Sequence, residues 1–82
     1  MATASKPLDE FETKVLRAIE PDYDYLVLII PSNAGVNEFT AGAALADLKK
    51  RGYVAFEGRG RFKSVCLTDE GKAAREALDA DD

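Results

Sequence analysis

The chain has 82 residues, of which 46% are hydrophobic and 32% charged, and a net charge of −4. That is one small domain with a single core, too apolar for a disordered segment. With one cysteine and no histidine there is no intramolecular disulfide and no Ser-His-Asp or Cys-His catalysis, and most zinc, haem and iron–sulfur sites are excluded. The composition predicts a non-enzymatic domain without metal or cofactor. The longest apolar run, Leu26 to Pro31, falls far short of the ~20 residues that a membrane span needs. Met1 to Pro7 has no apolar stretch of the signal-peptide kind, so the expected location is cytoplasmic.

Charge is unevenly placed. Residues 1–48 sum to −5, residues 49–63 to +5 and residues 64–82 to −4. One basic block inside an acidic protein reads either as a solvated mixed surface or as a site for a polyanion or an acidic partner.

Leu8 to Glu20 carries apolar residues at 8, 11, 15, 16, 18 and 19, the spacing of one helical face. Pro7 suits its first turn, the acids Asp9, Glu10 and Glu12 suit the positive end of the dipole, and Pro21 closes it. The run Tyr25 to Ile30 has no period and fits a buried strand or a short helix; Pro31-Ser32-Asn33-Ala34-Gly35 then interrupts it. A third element starts at the N-cap Asn37 and runs as a helix from Glu38 to Arg51, with Ala41, Ala44, Leu45 and Leu48 on one face. Gly52 ends it. Tyr53-Val54-Ala55-Phe56 and Phe62-Lys63-Ser64-Val65-Cys66-Leu67 flank a glycine-rich turn, the pattern of a β-hairpin. Thr68 caps a last helix from Asp69 to about Leu78. Residues 1–82 are expected to form one domain, with tails at 1–7 and 79–82.

The expected core is Phe11, Val15, Ile19, Leu26, Ile30, Val36, Leu45, Leu48, Val54, Val65 and Leu67. Tyr23, Tyr25 and Phe62 are expected at its edge, and Cys66 as a buried, inert thiol. Asp22-Tyr23-Asp24 has carboxylate spacing that a metal could use, but a turn or capping role fits it better.

The order helix, middle segment, helix, hairpin, helix is that of a winged helix-turn-helix, an α+β fold with a three-helix core. Gly35-Val36-Asn37-Glu38-Phe39-Thr40 resembles the turn and start of a recognition helix. Leu48-Lys49-Lys50-Arg51-Gly52-Tyr53-Val54 and Leu67-Thr68-Asp69-Glu70-Gly71-Lys72-Ala73 are similar to the entry and exit of the wing in MarR- and PadR-type transcriptional regulators. The likeness covers residues 35–78, residues 8–20 by position, and residues 22–34 weakly. It is what favours a short helix in the middle segment.

The resemblance implies a DNA-binding regulator, acting as a homodimer on double-stranded DNA, with the third helix in the major groove and the wing on phosphates. Groove-facing positions would then be Asn37, Glu38, Phe39, Gly42, Ala43 and Asp47. That set departs from the pattern, because Arg, Lys, Asn and Gln read base edges best. The implied DNA contacts are Asn37, Thr40, Lys49, Lys50, Arg51, Arg59, Arg61 and Lys63, with the two wing-tip arginines reaching phosphates. The same arginines also serve to keep a hairpin edge soluble. The alternative reading is a protein–protein interaction module, in which Phe39, Gly42 and Ala43 form an apolar strip for a protein partner.

Overall fold

The computed structural model describes residues 7–80. Helix α1 spans Glu10–Ala18. It starts two residues later than the apolar spacing suggests because Asp9 and Glu12 close a reciprocal capping box. The Asp9 carboxylate accepts from the Glu12 amide at 2.7 Å, and the Glu12 carboxylate accepts from the Asp9 amide at 3.0 Å. Two backbone donors that a helix start leaves open are thereby satisfied.

The middle segment is three short pieces. Strand β1 is Tyr25–Leu26, a 3-10 turn covers Val27–Ile29, and helix α2 is Ile30–Ala34. Both readings of the segment hold in part: Tyr25–Leu26 form the strand, and the short helix is present but lies at Ile30–Ala34, over the residues expected to interrupt it. Gly35 stands in the left-handed region at φ 71°, which a residue without Cβ adopts freely. It turns the chain from α2 toward α3, Glu38–Lys50. The side chain of Asn37 caps α3 as expected, its Oδ1 accepting from the Thr40 amide at 2.8 Å. Strands β2, Val54–Glu57, and β3, Ser64–Leu67, form the wing. The second strand begins at Ser64 instead of Phe62, because Gly60–Phe62 is a 3-10 turn at the tip. Helix α4 spans Asp69–Ala80. It therefore runs through Asp79 and Ala80, where a tail was expected; the remaining tail positions, 1–6 and 81–82, lie outside the described residues.

The sheet is antiparallel with order β1-β3-β2. Tyr25 lies opposite Val65, and Val54 opposite Leu67. Helices α1, α2 and α3 pack on one another, α3 lies against β2 and α4 against β3, and α4 packs back on α1 through crossed guanidinium bonds. Arg17 donates to the Leu78 carbonyl at 3.3 Å, and Arg75 donates to the Arg17 carbonyl at 3.1 Å.

Eight of the expected core residues are buried: Val15, Ile19, Ile30, Leu45, Leu48, Val54, Val65 and Leu67. Leu16, Ala41 and Ala44 join them, and Val36 packs half-buried against the cluster. Phe11 and Leu26 are corrections, since both are exposed. The inward face of α1 runs through Glu12, Val15 and Leu16, and Phe11 lies at its edge, turned toward α3 at Phe39. Leu26 follows the inward-packed Tyr25 in an extended pair, and alternation turns it outward. Tyr23 and Phe62, expected at the core edge, are also exposed. Cys66 is half-buried and not fully buried. Burial and the nearby Asp24 carboxylate push its thiol up, so it is held in the unreactive form. Asp22 takes the turn role, with positive φ and an ion pair to Lys72 at 2.8 Å.

Candidate functional site

Helix α3 decides what the domain can touch. Ala41, Ala44, Leu45 and Leu48 face the core, so Glu38, Phe39, Gly42, Ala43, Ala46, Lys49 and Lys50 face out. The outer face carries Glu38 at its start, is otherwise apolar until the last turn, and is cationic there. Asn37 stands at its start with its carbonyl oxygen committed to the helix cap; a paired contact to adenine needs that oxygen together with the amide nitrogen. Thr40 is half-buried beside it. Phe39 is 91% exposed.

Alongside α3, from Gly42 to Lys50, lies a groove against the wing, about 570 Å³ in volume. Val27, Gly42, Ala46 and Phe56 line its floor, and Lys49, Lys50 and Lys63 are its charged residues. Two of those ammonium groups flank one ring. Lys63 lies 4.6 Å and Lys49 5.6 Å from the centroid of Phe56, within cation–π range. Phe56 thus holds two like charges close together at the root of the wing. Arg59 and Arg61 are exposed at its tip. None of these five cations forms an ion pair among the described residues.

Arg51 differs from its neighbours. Its side chain is only 13% exposed, with Nε 2.7 Å from the Asp47 carboxylate and Nη2 3.6 Å from Glu12. Of the six cations expected to reach DNA, it is therefore the one drawn inward, and it fastens α3 to α1. The pairing was visible in the sequence, since Asp47 and Arg51 are four apart on one helix. Glu12, which the sequence reading used only as a dipole partner, was flagged by the same kind of signal: Asp9-x-x-Glu12 is the capping-box spacing.

A second groove, about 480 Å³, opens between α1 and the first half of α3. Phe11, Phe39 and Ala43 line it, and its charged residues are the acids Asp9, Glu12 and Asp47. The three candidate partner residues do not share one groove. Phe39 and Ala43 border this one, whereas Gly42 borders the groove at the wing. Among the described residues there is no group of three His, Cys, Asp or Glu side chains placed to hold a metal, and no helix long and apolar enough to cross a membrane.

Four helices around a three-stranded antiparallel sheet, with the hairpin following the capped third helix, complete the geometry. The fold is a winged helix-turn-helix. It resembles MarR-type regulators of known structure. Two MarR-family transcriptional regulators from Silicibacter pomeroyi superpose with TM-scores of 0.80 and 0.73, at 24% and 22% identity, over 89% and 87% of this chain. The chain spans about half their length, 51% and 52%. A DNA-binding protein from Sulfolobus solfataricus matches with a TM-score of 0.72 and 24% identity, covering 88% of this chain and 76% of that one. No family model matches the sequence, and no curated protein matches it.

Proposed function

We propose that this winged-helix domain is a cytoplasmic, non-catalytic DNA-binding protein of the regulator type. It would hold the duplex by its phosphates, through Lys49, Lys50 and Lys63 at the wing root and Arg59 and Arg61 at the tip. The observation that carries the reading is this set of five cations without ion pairs among the described residues, three around one groove and two exposed at the wing tip, in a protein that is acidic elsewhere. The outer face of α3 offers apolar groups where base readers would stand, so binding by this surface is tolerant of sequence. A pair of copies doubles the number of anchors, which favours a homodimer on DNA.

Contacts of this kind release counterions. Three to five phosphates per domain give a log–log slope of affinity against salt between about −3 and −4.5. Titrating random-sequence duplex at several salt concentrations tests the proposal, and replacing Arg59 and Arg61 together by alanine should reduce the slope by about 2. A slope that the double substitution leaves unchanged would exclude the wing, and affinity independent of salt would exclude the reading altogether.

The exposure of Phe39 favours a second reading, a protein-contact face on the first half of α3. An aromatic side chain 91% open to solvent resembles an interface anchor more than a base reader.

A further inference from the structure

The groove between α1 and α3 and the tip of the wing are complementary in sign, and both carry exposed aromatic rings. The groove is lined by aromatic and small side chains and carries only acids as charged groups: Asp9, Glu12 and Asp47. Its Phe11 and Phe39 rings stand 46% and 91% exposed. At the other end of the molecule Phe62 is 80% exposed, in the basic sequence Arg59-Gly60-Arg61-Phe62-Lys63. The tip is preorganised. The Phe62 amide donates to the Arg59 carbonyl at 3.1 Å, and the Lys63 amide to the Gly60 carbonyl at 3.3 Å.

We propose that the groove receives the wing tip of a second copy of this chain, with Phe62 against Phe39 and Phe11, and Arg59 and Arg61 on the acidic rim. The inference rests on the second reading above, that Phe39 marks a protein-contact face, and it names the occupant. A single copy does not close the contact on itself. The groove lies at the start of α3 and the wing follows its end, about 16 Å further along the helix axis. Nucleic acid is disfavoured as the occupant because the Asp9 and Asp47 carboxylates would meet phosphates there. Donor and acceptor surfaces are different patches of one molecule, so the contact is head-to-tail and each copy can hold one neighbour by its groove and another by its wing. Aromatic anchors with a charged surround are the usual composition of a compact interface centre.

The test is sedimentation over a concentration series with the full chain, Phe39→Ala, Phe62→Ala and an equimolar mixture of the two variants. Both side chains are exposed, and matched melting curves establish that the variants fold. The wild type should associate, and each variant alone should need at least tenfold higher concentration to do so. The mixture should regain association but stop at a one-to-one pair, because Phe39→Ala still offers a wing and Phe62→Ala still offers a groove. If Phe39→Ala loses association while Phe62→Ala retains it, the contact face stands and the wing is overturned as its occupant. If both variants associate like the wild type, or the wild type is monomeric throughout, the contact face and its occupant both fall. A mixture that stays monomeric also overturns the head-to-tail contact.

Discussion

Glu12 is buried at the junction of α1 and α3, where its carboxylate accepts from the Asp9 amide and lies 3.6 Å from Arg51. Burial raises its pKa, and a hydrogen bond shared with Asp47 raises it further. Asp47 moves the other way, held down by that same hydrogen bond and by the Arg51 guanidinium. A carboxyl whose pKa rises on folding favours the folded state most below its ordinary value of about 4.3, and that contribution is lost as pH climbs through the raised folded value. Glutamine at position 12 keeps the capping acceptor and does not titrate. The stability of the wild type relative to Glu12→Gln should accordingly grow as pH falls from 7 to about 4.5. Urea unfolding of both proteins at the two pH values measures the difference, and a gap that narrows toward acid would contradict the assignment. Asp47 does not mask the effect in this window, because its contribution is lost only below its ordinary range.

Among the elements, the seat of α4 is the most tightly determined. Thr68 caps it, its Oγ1 accepting from the Gly71 amide at 3.0 Å and donating to the Gly52 carbonyl. A Cβ placed on Gly71 would lie 1.9 Å from the Tyr53 carbonyl oxygen and 2.8 Å from its carbon. Both are backbone atoms, so α4 or the entry to β2 must move. Gly71→Ala should cost about 1–3 kcal/mol despite the better helix propensity of alanine. For a domain this small that is a Tm drop of at least about 4 °C, and a melting curve at or above wild type would mean that the helix is free to shift. The physical need for that glycine is not legible in Leu67-Thr68-Asp69-Glu70-Gly71; only its recurrence in a familiar pattern is. What the sequence did express were features written in neighbouring residues: the Asn37 cap, the 3.6-residue face of α3, and the glycine turn of the wing. The middle segment was opaque because β1 has two residues and α2 five, too few to display a period. Arg51 and Phe11 were misplaced for one reason. Whether a side chain turns inward depends on what the other helix presents, and no local spacing encodes that.

At the scale of the whole molecule, charge and apolar surface are separated along α3, with acids and aromatics at its start and cations at its end. The wing stands at the cationic end and is invoked twice, once on phosphates and once in a neighbour's groove. Arg59 and Arg61 cannot serve both at the same moment, so duplex DNA and this head-to-tail association through the wing should exclude one another. Exclusive binding weakens the competing equilibrium by the factor one plus the ratio of free ligand to its Kd. A short duplex at ten times its Kd should therefore raise the concentration needed for self-association about elevenfold. Reciprocity requires the converse, that raising the protein concentration into the self-associating range weakens DNA binding per copy. Phe39→Ala supplies the control, because its wing is never occupied by a neighbour and its affinity for DNA should not depend on protein concentration. Sedimentation of the wild type with and without a duplex long enough for one domain measures the shift. An assembly that keeps its size while the duplex is bound would place the wing on only one of the two partners.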